Sequence, residues 1–67
     1  MQVIINGEQT VLTDVRTVEN LISHLELSGR IAIEINQQIV PRGEFGARLL
    51  ADGDVIEIVH AIGGGRP

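Results

Sequence analysis

Asn6-Gly7 stands between Val3-Ile4-Ile5 and Glu8-Gln9-Thr10-Val11-Leu12, and it commits the start of the chain to a hairpin. A type I′ turn needs φ > 0 at both central positions, and Asn followed by Gly meets that need at little steric cost. Strands are expected over about 2–6 and 8–12. With 67 residues the chain is read as one domain, near the size at which a single core is only marginally sufficient. The absence of cysteine removes disulfides, thiolate metal sites and iron–sulfur ligation together. The core must therefore be aliphatic, and one Phe with no Tyr or Trp agrees with that.

After the connection at Thr13–Arg16, Thr17 is placed to cap a helix, with Glu19 favouring the positive end of its dipole. Val18, Leu21, Ile22 and Leu25 fall at i, i+3, i+4 and i+7, one apolar stripe. The spacing predicts a helix over about 18–27, stopped by Gly29 in the left-handed region. Ile31, Ile33 and Ile35 alternate with Ala32 and Glu34, the pattern of a half-buried strand. Asn36-Gln37-Gln38 turns the chain into a brief strand at Ile39-Val40, which Pro41 ends. Gly43 and Gly46 argue against a long helix between Arg42 and Leu50, so an irregular segment or one helical turn is expected, with Phe45, Leu49 and Leu50 inward. Asp52-Gly53-Asp54 is a tight turn into a last apolar strand, about 54–62.

The order is ββαββ, which implies an α+β roll: a mixed sheet of about five strands with one helix packed on one face, the β-grasp arrangement. The first and last strands are the most uniformly apolar, which suits adjacent, parallel, central positions. No helix remains to cover the other sheet face. Val59 and Ala61, on the opposite side of the last strand from Ile56 and Ile58, are then exposed apolar residues suited to docking a partner.

Chemistry is scarce along this chain. His24 and His60 have no evident nucleophile or ligand partner, and unpaired histidines are usually ordinary surface residues; with no Cys they make a weak metal site. Asp52 and Asp54 read as turn chemistry, and Glu34 and Glu57 as exposed sheet positions. There is no phosphate-cradling loop, and the final glycines lead into no helix. Neither catalytic residues nor a metal site is assigned, and no cofactor is expected to be bound. A formal net charge of −4 without aromatic platforms disfavours nucleic acid and suits a basic protein partner. All five cations are Arg, so side-chain-linked self-conjugation through lysine is excluded. No apolar run is long enough to span a bilayer and no signal peptide is evident, so a cytoplasmic location is the expectation.

What remains is Gly63-Gly64-Gly65-Arg66-Pro67, read as a flexible segment after a domain over 1–62. Fraying is the commoner reason for such glycines; the alternative is a thread that enters a narrow channel where a Cβ would clash. A β-grasp reading with these glycines resembles the ubiquitin-like proteins. Three stretches bring it to the ThiS family, the sulfur carriers of thiamine thiazole synthesis: Met1-Gln2-Val3-Ile4-Ile5-Asn6-Gly7, Asn36-Gln37-Gln38-Ile39-Val40-Pro41-Arg42, and Asp52-Gly53-Asp54 through the last strand to the glycines.

The resemblance implies that a ThiF-type adenylating enzyme activates the carboxylate of Gly65 with ATP. A sulfur-donor persulfide protein then supplies the sulfur, and a thiocarboxylate on Gly65 delivers it to a ThiG-type thiazole synthase. Gly63 and Gly64 would thread the partner's channel, extending roughly 10 Å beyond the strand, while Val59, Ala61 and Ile62 would form the docking face. The carrier itself would not be an enzyme. Family members typically finish at Gly-Gly, whereas here Arg66-Pro67 follows, so a protease is expected to expose Gly65. The small subunit of molybdopterin synthase and other ubiquitin-like modifiers share this fold and tail, and they are the competing readings.

Overall fold

The computed structural model describes residues 1–60. Strands β1 (Gln2–Ile5) and β2 (Glu8–Val11) form the expected hairpin, with Ile5 opposite Glu8. Asn6 and Gly7 both take positive φ, 50° and 84°, as the two-residue turn requires. A second two-residue turn, Asn36-Gln37 at φ 52° and 69°, joins β3 (Ile31–Ile35) to β4 (Gln38–Val40). The last strand, β5 (Val55–His60), lies at the centre of the order β2-β1-β5-β3-β4. It runs parallel to β1 and antiparallel to β3. The expected adjacency of the first and last strands is therefore found. The expected extension of β5 to residue 62 lies outside the described residues.

One helix, α1 (Val18–His24), crosses one face of the sheet. Thr17 caps it as expected, its hydroxyl accepting from the Asn20 N–H at 3.1 Å. Asn20 returns the contact, its Oδ1 accepting from the Thr17 N–H at 3.3 Å, so a reciprocal capping box forms with Asn in the place usually held by Glu or Gln. The expectation that α1 runs to residue 27 and stops at Gly29 is corrected. The chain reverses at Glu26, φ 56°, whose N–H donates to Ser23 O while the Leu27 N–H donates to Ile22 O. That is a Schellman turn with Glu in the position that Gly usually takes. The physical reason is Leu27: it falls off the 18-21-22-25 stripe, and ending the helix early turns it onto the same surface hollow as Ile22.

The core is aliphatic: Val3 from β1, Ile33 and Ile35 from β3, Ile56 from β5, and Val18 and Leu21 from α1, closed by Leu12, Val15, Val40 and Leu50. After β4 a single 3-10 turn, Arg42–Glu44, leads to Phe45, which packs against this core. Leu49 departs from expectation, being 63% exposed while Leu50 is 7% exposed. Residues 48–50 lie extended beside 16–18, with Thr17 bridged to Leu49, and Leu50 N donating to Arg16 O at 2.8 Å. Neighbours in extended chain point to opposite faces, so only one of the pair reaches the core.

Candidate functional site: the central strand and its open face

Everything proposed for the glycine segment depends on how β5 is held, because β5 leads into it. Two hairpin-turn asparagines grip this strand, one near each end. The β1–β5 ladder covers only Ile4–Val55 and Ile5–Ile56, so β1 is too short to pair further along. Asn6 takes over: its Oδ1 accepts from the Ile58 N–H at 2.8 Å, and its Nδ2 donates to Ile58 O at 3.2 Å. A side-chain amide thus supplies the acceptor and donor that another strand residue would have supplied. At the other end, Asn36 Oδ1 accepts from the Val55 N–H at 3.0 Å and Asn36 Nδ2 donates to Asp54 Oδ1 at 3.0 Å.

Asp54 is the one buried charged residue among those described, at 6% exposure. Besides Asn36 it binds the Ala51 N–H through Oδ2 at 2.8 Å, so both carboxylate oxygens are used. The turn before it is pinned to β1: Asp52 Oδ1 accepts from the Gln2 N–H at 2.6 Å, and the Gly53 N–H donates to Gln2 O at 2.7 Å. Gly53 has φ 90°, which a Cβ would disfavour. Asp-Gly-Asp is turn chemistry, as its sequence suggests, and it also fixes the start of β5.

An Asn6→Gly variant isolates the clamp nearest the glycines. Glycine accepts the positive φ but removes both bonds to Ile58, for a loss of about 1 kcal/mol in water-accessible surroundings. Native-state hydrogen exchange at the Ile58 amide should accelerate by about fivefold, with little change at Ile35. Equal protection at Ile58 in both proteins would show that the clamp contributes nothing.

Among the described residues nothing covers the sheet on the side away from α1. Val59 is exposed as expected, at 59%, and it pairs with Ala32. Ala61, Ile62, Gly63, Gly64 and Gly65, the other residues assigned to docking, threading and attachment, lie outside the described residues, as do Arg66 and Pro67. Ile39, 71% exposed on β4, was not singled out from the sequence; in so short a strand it carries no sign of its face until the β3–β4 register is known. Glu34 and Glu57 stand directly opposite each other in the β3–β5 pair, on this same face. Together with Ala32, Ile33, Ile39 and Val59 they line a hollow of about 170 Å³. A larger hollow, about 530 Å³, opens between α1 and the 3-10 turn and gathers no histidine. His24 ends α1 and His60 ends β5, both exposed. Among the described residues no group of His, Asp or Glu is arranged to hold a metal ion, and no helix is long and apolar enough to cross a membrane.

Two edge hairpins, a helix over one face and a parallel first-and-last pair at the centre define the β-grasp, ubiquitin-like class. Comparison with known proteins narrows the class. The family model described as "ThiS family" matches residues 3–65. The chain is 35% identical over 66 residues to the sulfur carrier protein ThiS of Escherichia coli, covering 97% of this chain and 100% of that one. It superposes on the crystal structure of the thiamine biosynthesis protein (ThiS) from Geobacter metallireducens with a TM-score of 0.82 at 28% identity, covering 97% of this chain and 100% of the other. The chain belongs to the ThiS family. It is also 41% identical over 66 residues to a thiazole synthase of Paramagnetospirillum magneticum, where it covers 97% of its own length but only 20% of that protein. The chain thus spans about a fifth of the length of that longer relative.

Proposed function

We propose that this protein is a sulfur carrier of thiamine biosynthesis whose working atom is the carboxyl carbon of Gly65. The observation that carries the reading is the family match, which runs through the β-grasp domain and ends at Gly65. A free carboxylate is a poor electrophile. A ThiF-type enzyme would convert it with ATP to the acyl adenylate, releasing pyrophosphate. The terminal sulfur of a protein persulfide then attacks the acyl carbon and expels AMP, leaving an acyl disulfide. A second thiol attacks the distal sulfur of that disulfide, which frees the Gly65 thiocarboxylate and leaves an ordinary disulfide behind. The carrier is the acylating substrate throughout, and its partners supply the catalytic groups. The likeness to a protein named thiazole synthase supports a ThiG-type enzyme as the acceptor of the sulfur.

The glycines suit this role because nothing projects from them. Gly65 lies five residues after His60, so its carboxyl group reaches at most roughly 17 Å from the end of the described strand. Arg66 follows Gly65, so a free carboxylate there requires hydrolysis of the Gly65–Arg66 bond. The test is intact mass after incubating the chain that ends at Gly65 with the adenylating enzyme, ATP and a persulfide donor. Exchange of one oxygen for sulfur is expected, and none for the chain that still carries Arg66-Pro67. Failure of the trimmed chain to exchange overturns the carrier reading. Recovery of a thiocarboxylated form from cells with Arg66-Pro67 still attached overturns the processing step.

A further inference from the structure

We propose that Asn6-Gly7 is a covalent modification site: Asn6 deamidates spontaneously through a cyclic imide, and the fold suppresses this by holding the Asn6 amide on β5. This chemistry does not depend on what the glycines deliver. Ring closure needs a main-chain nitrogen that can swing onto the side-chain amide of the residue before it. Gly7 obstructs that approach least, having no Cβ, and beyond its chain neighbours no atom lies within 4 Å of the place a Cβ would take. Asn6 is exposed, so water reaches the ring once it forms. The Gly7 nitrogen loses its proton and bonds to Asn6 Cγ, the Cγ–Nδ2 bond breaks, and ammonia leaves. Water then opens the imide, at Cγ to give Asp or at the main-chain carbonyl to give isoaspartate. Water is consumed and ammonia released in equal number, with no change of oxidation state.

The other positions open to this chemistry are poorer. Asn20 and Asn36 are followed by Leu21 and Gln37, whose side chains obstruct the attacking nitrogen. Asn20 is also held in the capping box of α1. Asp52-Gly53 has the glycine, but a carboxylate is a poor electrophile, and the Gly53 N–H is committed to Gln2 O at 2.7 Å.

Folding opposes the reaction at Asn6 directly. Ring closure requires the carboxamide to turn Cγ toward the Gly7 nitrogen. In the structure both of its polar atoms are committed to Ile58, Oδ1 to the N–H at 2.8 Å and Nδ2 to the carbonyl oxygen at 3.2 Å. The reaction must therefore wait for this clamp to open locally. Its product cannot close the clamp again. An Asp carboxylate still accepts from the Ile58 N–H, but its other oxygen faces Ile58 O with no proton between them. Isoaspartate lengthens the main chain inside a two-residue turn. Each event thus removes for good one hold on β5, the strand that precedes Gly65 in the chain.

The test incubates the full chain at neutral pH in buffer and in guanidinium chloride above its unfolding midpoint. Trypsin, cutting after Arg16, Arg30 and Arg42, leaves Asn6, Asn20 and Asn36 on separate peptides, whose amide-to-acid mass change and isoaspartate content are followed with time. Unfolded, Asn6 should convert about tenfold faster than Asn20 or Asn36, because only Gly7 leaves the nitrogen unobstructed. Comparable rates at all three would overturn the site. Folding should slow conversion at Asn6 by about tenfold or more, the factor imposed when only a minor open population reacts. Equal rates in buffer and denaturant would overturn protection by the clamp. Asn6→Asp, which places the product in an otherwise unmodified chain, should accelerate hydrogen exchange at the Ile58 amide by about tenfold. Exchange as slow as in the wild-type chain would overturn the consequence for β5.

Discussion

Ile56→Ala is expected to cost about 2–5 kcal/mol, a large share of the roughly 3–10 kcal/mol that a chain of this length possesses. Ile56 is 0% exposed on the central strand, opposite Ile5 of β1 and Ile35 of β3. Every layer of the roll meets there, so no neighbour can collapse into the space without moving a strand. The melting temperature should fall by on the order of 10–30 °C, read by far-UV circular dichroism, since the chain has no Trp or Tyr. Ile56→Val, which removes one methyl group, should cost only about 0.5–1.5 kcal/mol. If Ile56→Ala melted within a few degrees of wild type, the core would not be organised around β5.

Asp54→Ala is the second large effect, and its cause is polar. The carboxylate accepts from the Ala51 N–H and from Asn36 Nδ2, one on each oxygen. Asp54 is 6% exposed, and removing its carboxylate leaves two part-buried donors without their acceptor, for an expected loss of about 2–4 kcal/mol in urea denaturation. Asp54→Asn separates shape from chemistry. Both partners are donors, so an amide can satisfy only one of them and must turn its NH₂ toward the other. That variant should lose about 1–2 kcal/mol despite its nearly unchanged volume. A loss within about 0.5 kcal/mol for both variants would mean that water replaces the network.

The parts of the fold that were legible are those where a short-range rule has one answer. Asn6-Gly7 needed only turn stereochemistry, and Ile31, Ile33 and Ile35 only the period of a strand. Thr17 was recognisable as a cap, but Asn20 was not recognisable as its partner, because the usual pattern asks for Glu or Gln. The helix end was misplaced because Gly29 advertises a left-handed residue, while the reversal falls on Glu26, driven by where Leu27 must go. Gly29 does take φ 81°, three residues later.

The site was legible in outline only. Alternation exposed Val59, yet Ile39 and the Glu34–Glu57 opposition depend on strand register, which is a long-range property. The double duty of Asn6 and Asn36 was hidden for the same reason. The turn alone accounts for each Asn, and nothing in the neighbouring residues marks the second use of its amide. An Asn at positive φ beside a short strand is the signal: it tolerates the turn and also mimics a peptide group.

The placement of β5 between β1 and β3 has a mechanical consequence. Tension applied along the chain beyond His60 is transmitted down the axis of a strand hydrogen-bonded on both sides. Such a load shears the ladder bonds together, whereas a pull on an edge hairpin would peel them one at a time. Asn6 adds a rivet at Ile58, close to the loaded end. The proposed delivery of Gly65 to a partner would load that side of the strand, which the sheet holds at its centre rather than at an edge.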